Sequence, residues 1–340
     1  MLYPIRRAGS SAKKHTAIWL SMVLIGSLLT ACGANNGNRE ELPGNPSPAA
    51  SAGGAVAEKG NAPTLERTVK DELGHEIKLP AAPKRIFAPY LEDSLLKLGM
   101  KPVAQWSNGA LGHDYLQDEL KDVPKLDLSG GLPSPEVLLS YSPDLIILHT
   151  ATYAANGLYE NYSKIAPTYV FNNASGEIEK SLVTLGELLG KSSEADRALK
   201  AYEQKVKEAK EKLERATAGK KVAILRFAAK GVSLMGANYF CGYVVHQHLG
   251  IAKTKLVEKE NSATVSLEVL PQIDADYIFV INAYGQGTER MKEMMGSPIW
   301  NGLSAVKQGQ VYEVSDKHWL GSGLIAYEKI IDDTVRLIAK

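Results

Sequence analysis

Between Ser193 and Ala218 apolar and charged positions recur with a helical period. Leu199, Tyr202, Val206, Ala209, Leu213 and Ala216 fall three and four residues apart, and most other positions are Lys, Glu, Arg or Gln. One apolar seam on a charged cylinder predicts a single long helix lying across its own protein. The seam lasts under four heptads and is poor in Leu and Ile, which argues against a coiled coil. Ser193 with Asp196 three residues on predicts a capping box, and Gly219 predicts the stop.

The stretches flanking this helix resemble each other. Ser134–Thr150 reads SPEVLLSYSPDLIILHT and Ser266–Asn282 reads SLEVLPQIDADYIFVIN. At a constant offset of 132 residues, Ser134/Ser266, Glu136/Glu268, Val137/Val269, Leu138/Leu270, Asp144/Asp276 and Ile146/Ile278 are identical. Each stretch predicts a short helix, a turn ending in Asp and a buried strand. The shared order predicts two similar lobes joined by the long helix.

Around these units short apolar runs alternate with amphipathic ones, the pattern of parallel sheets covered on both faces. The first lobe spans about 64–174. It opens with a hairpin over Thr68–Leu79 turning at Leu73-Gly74. Strands are predicted at Arg85–Ala88, Val103–Trp106, Leu145–His149 and Thr168–Phe171. Helices are predicted at Leu91–Leu98, Pro135–Ser140 and Gly157–Ile165. A helical segment covers 175–219, beginning with Ile178–Leu189. The second lobe, 220–340, repeats the theme: strands Val222–Phe227, Val232–Met235, Tyr277–Ile281 and Val311–Val314, with helices Phe240–Leu249, Glu268–Ile273, Glu289–Met295 and Leu324–Ala339. The fold class is α/β, two lobes with a ligand cleft between them.

The first 31 residues follow another logic. Arg6, Arg7, Lys13 and Lys14 precede Ala17–Leu29, a 13-residue apolar run too short to span a bilayer comfortably and suited to a signal peptide. Leu29-Thr30-Ala31-Cys32 then resembles the lipobox of bacterial lipoproteins, in which Cys32 carries the lipid. Residues 32–63, rich in Gly, Asn, Pro, Ala and Ser, predict a disordered tether. Without the four basic leader residues, 35 Lys and Arg face 38 Asp and Glu, a net charge of −3 that gives no support for nucleic-acid binding. Cys241 is then the sole cysteine besides Cys32, so no internal disulfide is available, and a buried inert thiol is expected.

Ligands of open α/β sheets bind beyond the C-terminal strand ends. Aromatic residues stand there in this chain: Tyr90, Trp106 and Tyr153 in the first lobe, Tyr239, Tyr284 and Trp319 in the second. Packing accounts for any one of them; their shared placement favours a cleft. Arg226 interrupts the apolar strand VAILRF. An unpaired buried charge is costly, so either a carboxylate satisfies it or it points into a cleft. Nucleophile elbow, dinucleotide fingerprint and P-loop are all missing from the sequence. Ser304 and Lys307 match S-x-x-K only by letters. The histidines are expected to be isolated and solvent-exposed, with no cluster to hold a metal.

PKRIFAPYLEDSLLKLG, SPEVLLSYSPDLIIL, SLEVLPQIDADYIFV, SPIWNGLSAVKQGQVYEV and HWLGSGLIAYEKIIDD together resemble the iron(III)-siderophore-binding lipoproteins of bacterial ABC importers, related to binders of cobalamin and haem. The resemblance covers about Pro83 to Lys340. It implies two α/β lobes joined by one long helix, a monomer without enzymatic activity or a protein-bound metal, and lipid anchoring at the outer face of the cytoplasmic membrane. It implies an ABC permease and its ATPase as partners. It places Arg226 and Trp319 against the siderophore, with Tyr90, Trp106, Tyr153, Tyr239 and Tyr284 as weaker matches, and Glu136 and Glu268 against the permease. A tris-catecholate ferric complex carries a charge of about −3 and calls for several cations, whereas one cleft cation, Arg226, is evident. A ferric hydroxamate is therefore expected; catecholate, mixed-carboxylate, haem or cobalamin ligands are alternatives. An extracytoplasmic small-molecule enzyme and an adhesive surface lipoprotein are alternatives of other classes.

Overall fold

The computed structural model describes residues 67–238 and 240–339. The leader, Cys32, the tether and Tyr239 lie outside the described residues.

The long helix runs from Ser192 to Thr217. All six seam residues are in the main hydrophobic core or packed against it, while the charged faces meet water. It packs on the preceding helix, Ile178–Leu189, and on the closing helix, Leu324–Ile338. The expected capping box does not form. Lys191 occupies the N-cap without a side-chain bond, because the chain turns sharply at Gly190 (φ +66°) and the helix begins one residue before Ser193. The two helices approach closely at Gly186, where a Cβ would come within 2.8 Å of the Ala195 Cβ. Gly219 ends the long helix at φ +69°, as expected.

In the N-terminal part the hairpin pairs Arg67–Lys70 with Glu76–Leu79, and Asp71 closes its turn by accepting from the Leu73 and His75 amides at 3.0 and 2.8 Å. The strand Leu145–Leu148 lies between Ile86–Phe87 and Thr168–Val170, all parallel and fully buried. A second small sheet places Gln105–Asn108 between Leu111–Gly112 and Lys125–Asp127. The C-terminal sheet runs Ser262–Thr264, Gly231–Met235, Lys221–Ala228, Tyr277–Asn282, Val311–Val314. Its last three strands are parallel, but the first two pair antiparallel, so this sheet is mixed rather than wholly parallel.

The internal repeat is real at atomic detail. Asp144 accepts from the Lys84 and Arg85 amides at 2.8 and 2.9 Å, pinning the neighbouring parallel strand. Asp276 accepts from the Lys221 amide at 2.9 Å and does the same in the second sheet. The preceding helices diverge. Pro135–Ser140 is α-helical and capped by Ser134, whose Oγ accepts from the Val137 amide. Its counterpart is a turn followed by the 3₁₀ segment Leu270–Gln272, not the predicted helix, since Pro271 removes an amide donor. The segment expected as the helix Phe240–Leu249 starts as α but continues as a π-helix over Tyr243–His248.

The closing helix ties the two parts together a second time. It packs on the helix Glu92–Lys97, with Lys97 paired to Glu328 at 2.6 Å, and Ile325 joins the satellite cluster of Leu116, Leu120 and Val123.

Candidate functional site

A cleft of 570 Å³ opens where strand ends of the two three-stranded N-terminal sheets and of the C-terminal sheet converge. One wall carries Tyr90, Trp106, His149 and Tyr153; Phe240, Tyr284 and the segment Asp316–Ser322 contribute to the other. A second, 340 Å³ compartment holds Arg226, Ser233, Asn261 and Ser262, and shares Phe240, Tyr284 and Leu320 with the first.

The aromatic wall is a contiguous cluster. The Tyr90 ring lies 5.4 Å from Trp106, 4.5 Å from His149 and 6.0 Å from Tyr153, within aromatic contact range. Tyr153 donates its hydroxyl to Tyr90 at 3.3 Å. Burial, helped by Tyr153, raises the Tyr90 phenol well above its ordinary value, so it stays a neutral phenol. Tyr90, Phe240 and Tyr284 all have positive φ (68°, 47° and 54°), a conformation uncommon for non-glycine residues. Three of the five such residues among the described residues therefore line this cleft, where sharp turns aim rings off the strand ends. Tyr284 is further fixed by its amide, which donates to Asp316 at 2.7 Å.

Arg226 owes its position to the end of its strand. Val222–Leu225 are buried on both faces; beyond them burial alternates, and Arg226 emerges opposite Ser233. Among the described residues no carboxylate pairs with it. Instead it lines the second compartment.

Trp319 does not reach the cleft. It is completely buried, packs against Phe279 with the rings tilted and their centroids 4.7 Å apart, and donates its indole N–H to Asp333 at 3.0 Å. Its neighbours Lys317, Leu320, Gly321 and Ser322 line the cleft instead. The helix Asp316–Trp319 turns the indole inward, which corrects the sequence expectation of a ligand contact.

The described histidines are not isolated and exposed, contrary to expectation. His113 sits 3.3 Å from the fully buried Glu92, His248 bonds Tyr202 and stands 3.2 Å from Glu179, and His318 lies 2.8 Å from Asp333. Burial would lower the His113 imidazole, but Glu92, with Asp93 and Asp114 beyond it, reverses the net direction to upward. His149 lines the cleft, and burial depresses it to about 4. Among the described residues no three His, Cys, Asp or Glu side chains converge to hold a metal. Cys241 is buried, and burial pushes its thiol up to about 12, in keeping with an inert role.

These shifts predict acid sensitivity. Burial holds His149 and His246 near 4 in the folded state, against about 6.5 unfolded. Between those values the unfolded chain binds the extra protons, so stability is lost as pH falls from about 6.5 toward 4, by up to about 3 kcal/mol per histidine. Asp93 opposes this: burial, against hydrogen bonds from Ile325 and Ala326, raises it to about 6, adding stability as pH falls below that value. Urea unfolding at pH 7 and 4.5 should therefore show a smaller acid loss in His149→Gln than in the parent. An equal loss in both would contradict the buried neutral imidazole.

Two α/β units bridged by one long helix, with an aromatic cleft at their strand ends, define a solute-binding protein. The chain belongs to the periplasmic binding protein family, whose model matches residues 93–317. It is 29% identical over 285 residues to the probable siderophore-binding lipoprotein YfiY of Bacillus subtilis, covering 78% of this chain and 86% of that protein. It is 27% identical to the iron(3+)-hydroxamate-binding protein FhuD of the same organism, covering 89% of this chain and 90% of that one. Among solved structures, Staphylococcus aureus SirA complexed with staphyloferrin B matches with a TM-score of 0.68 at 25% identity, over 79% of this chain and 97% of that one.

Proposed function

We propose that this chain is an extracytoplasmic solute-binding lipoprotein, anchored through Cys32, that captures a ferric siderophore of hydroxamate type and delivers it to an ABC permease. The observation that carries the ligand class is the charge balance of the cleft. Its formal side-chain charges are Arg226 and Lys317 against Asp114 and Asp316, with Lys317 and Asp114 paired at 3.2 Å. His113 is offset by Glu92 behind it. A near-neutral, aromatic-walled cleft suits a near-neutral chelate and offers little to a complex of charge about −3. In this reading Tyr90, Trp106, Tyr153 and Tyr284 pack on the siderophore, and Arg226 donates to its oxygens. The names of the similar proteins support a ferric siderophore as ligand and include both hydroxamate and citrate binders.

Titration of intrinsic fluorescence tests it, since Trp106 lines the cleft. Ferrichrome, as a ferric trihydroxamate, should quench at sub-micromolar levels without turnover. A ferric tris-catecholate or ferric citrate binding more tightly would overturn the ligand class. Ferric carboxylates are the second reading, favoured by Arg226 lacking a carboxylate partner among the described residues.

Glu136 and Glu268 are proposed to meet the permease, one from each lobe. Both are fully exposed and drawn below their ordinary values, Glu136 first by its own backbone amide and Glu268 first by Ser266. Beside Glu136 stand exposed Val137 and Leu139. Rim charges act mainly on docking rate and register. Changing both glutamates to Lys should slow radio-iron uptake by cells while leaving ferrichrome affinity unchanged. Unchanged uptake at equal protein level would remove the docking role.

A further inference from the structure

The helix Glu92–Lys97 opens on two adjacent carboxylates, Glu92 and Asp93, only 0% and 2% exposed. Burying two neighbouring acids is costly, so their placement calls for a reason beyond packing. They reach in different directions. Glu92 Oε1 accepts from the Trp106 amide at 2.7 Å, and its Oε2 lies 3.3 Å from His113 Nε2. Asp93 Oδ1 accepts from the Ile325 amide at 2.9 Å, and its Oδ2 accepts from the Ala326 amide at 3.0 Å and the Tyr115 hydroxyl at 3.1 Å.

Every one of these partners is part of the cleft or adjoins it. Trp106 and His113 line one side. Tyr115 follows the lining residue Asp114, and Ile325 and Ala326 begin the closing helix directly after the lining residues Leu320–Ser322. The fit between the carboxylate and this last wall is tight. Gly323 has φ +141°, and a Cβ there would fall 2.2 Å from Asp93 Cγ. A simple helix cap would need one short polar side chain. The doublet instead backs both walls from one rigid point.

We propose that Glu92 and Asp93 are the positioning residues of the ligand cleft, Glu92 setting the Trp106–His113 wall and Asp93 seating the Leu320–Ser322 wall against it. The proposal rests on the cleft being the ligand site, and its test keeps the two apart. Glu92→Gln and Asp93→Asn preserve shape while removing charge or an acceptor. Each should weaken ferrichrome binding by about 10-fold in folded protein, because a small misplacement of a wall degrades every contact on it.

Two readouts need no ligand. Glu92 is the foremost of the carboxylates acting on His113, with Asp93 and Asp114 beyond it. By NMR titration, Glu92→Gln should lower the His113 midpoint. In Asp93→Asn the Ile325 and Ala326 amides should exchange faster with solvent than in the parent. A lowered melting temperature with ferrichrome affinity, His113 midpoint and amide exchange all unchanged would reduce the doublet to a structural role and overturn the proposal. If both variants fail to fold, Tyr115→Phe, which removes one of Asp93's bonds, decides: weaker binding supports the proposal and unchanged affinity overturns it. If the parent protein binds no ferrichrome, the ligand reading fails, and the His113 midpoint and amide exchange alone decide the positioning roles.

Discussion

Trp319→Ala is expected to lower stability by about 3–5 kcal/mol, the range for emptying a buried Trp or Phe site. The indole is fully enclosed and packs on Phe279 of the strand Tyr277–Asn282. It also satisfies Asp333, which its partners hold well below the usual carboxylate range: partial burial pushes that carboxyl up, but hydrogen bonds from His318, Arg336 and Trp319 outweigh it. Removing the ring leaves a cavity and strips a charge-assisted hydrogen bond at once. Trp319→Phe should recover part of the packing but not the bond to Asp333. Urea unfolding measures the loss, and ferrichrome titration of the folded fraction should still show quenching, because Trp106 remains in the cleft. Lost binding with an unchanged unfolding midpoint would put Trp319 back in the cleft.

The misreading of Trp319 shows where sequence pattern stops. An aromatic residue just beyond a strand end looks the same whether its ring turns toward ligand or toward core. The deciding partner, Asp333, lies on the closing helix, fourteen residues on, and no period links them. The long helix was legible for the opposite reason. Its seam is a local, repeating signal, and the same six residues prove to be those facing the core. The lobe repeat was legible too, since Asp144 and Asp276 perform one local task at equivalent places. The boundaries of the second copy were not, because Pro271 outweighs the helical pattern around it. His113 escaped notice because its carboxylate is twenty-one residues back, on another element, and only the fold unites them. Arg226 lay between these cases. Its oddity within an apolar strand was visible, but whether a carboxylate stood opposite it depended on distant loops.

Arg226 is the residue with the largest expected effect on ligand affinity. Arg226→Ala should weaken ferrichrome binding by about 1.5–3 kcal/mol, roughly 10- to 150-fold, the worth of hydrogen bonds involving a charged group. Arg226→Lys should recover only part of this, since a point charge cannot reproduce the planar fork that engages two oxygens together. The stability measurement should move little. No ion pair within the described residues is broken, and the side chain leaves its strand at the edge of the core, where Ser233 stands opposite. Breaking a buried structural pair would instead cost about 3–5 kcal/mol and leave a charge stranded. The two roles therefore predict opposite splits between melting and binding. A melt that collapses while the folded fraction binds ferrichrome normally would make Arg226 structural. A preserved melt with the affinity loss would fix it as the cation that holds the chelate oxygens, and ferric citrate titrated beside ferrichrome would show whether those oxygens belong to a hydroxamate or to a carboxylate.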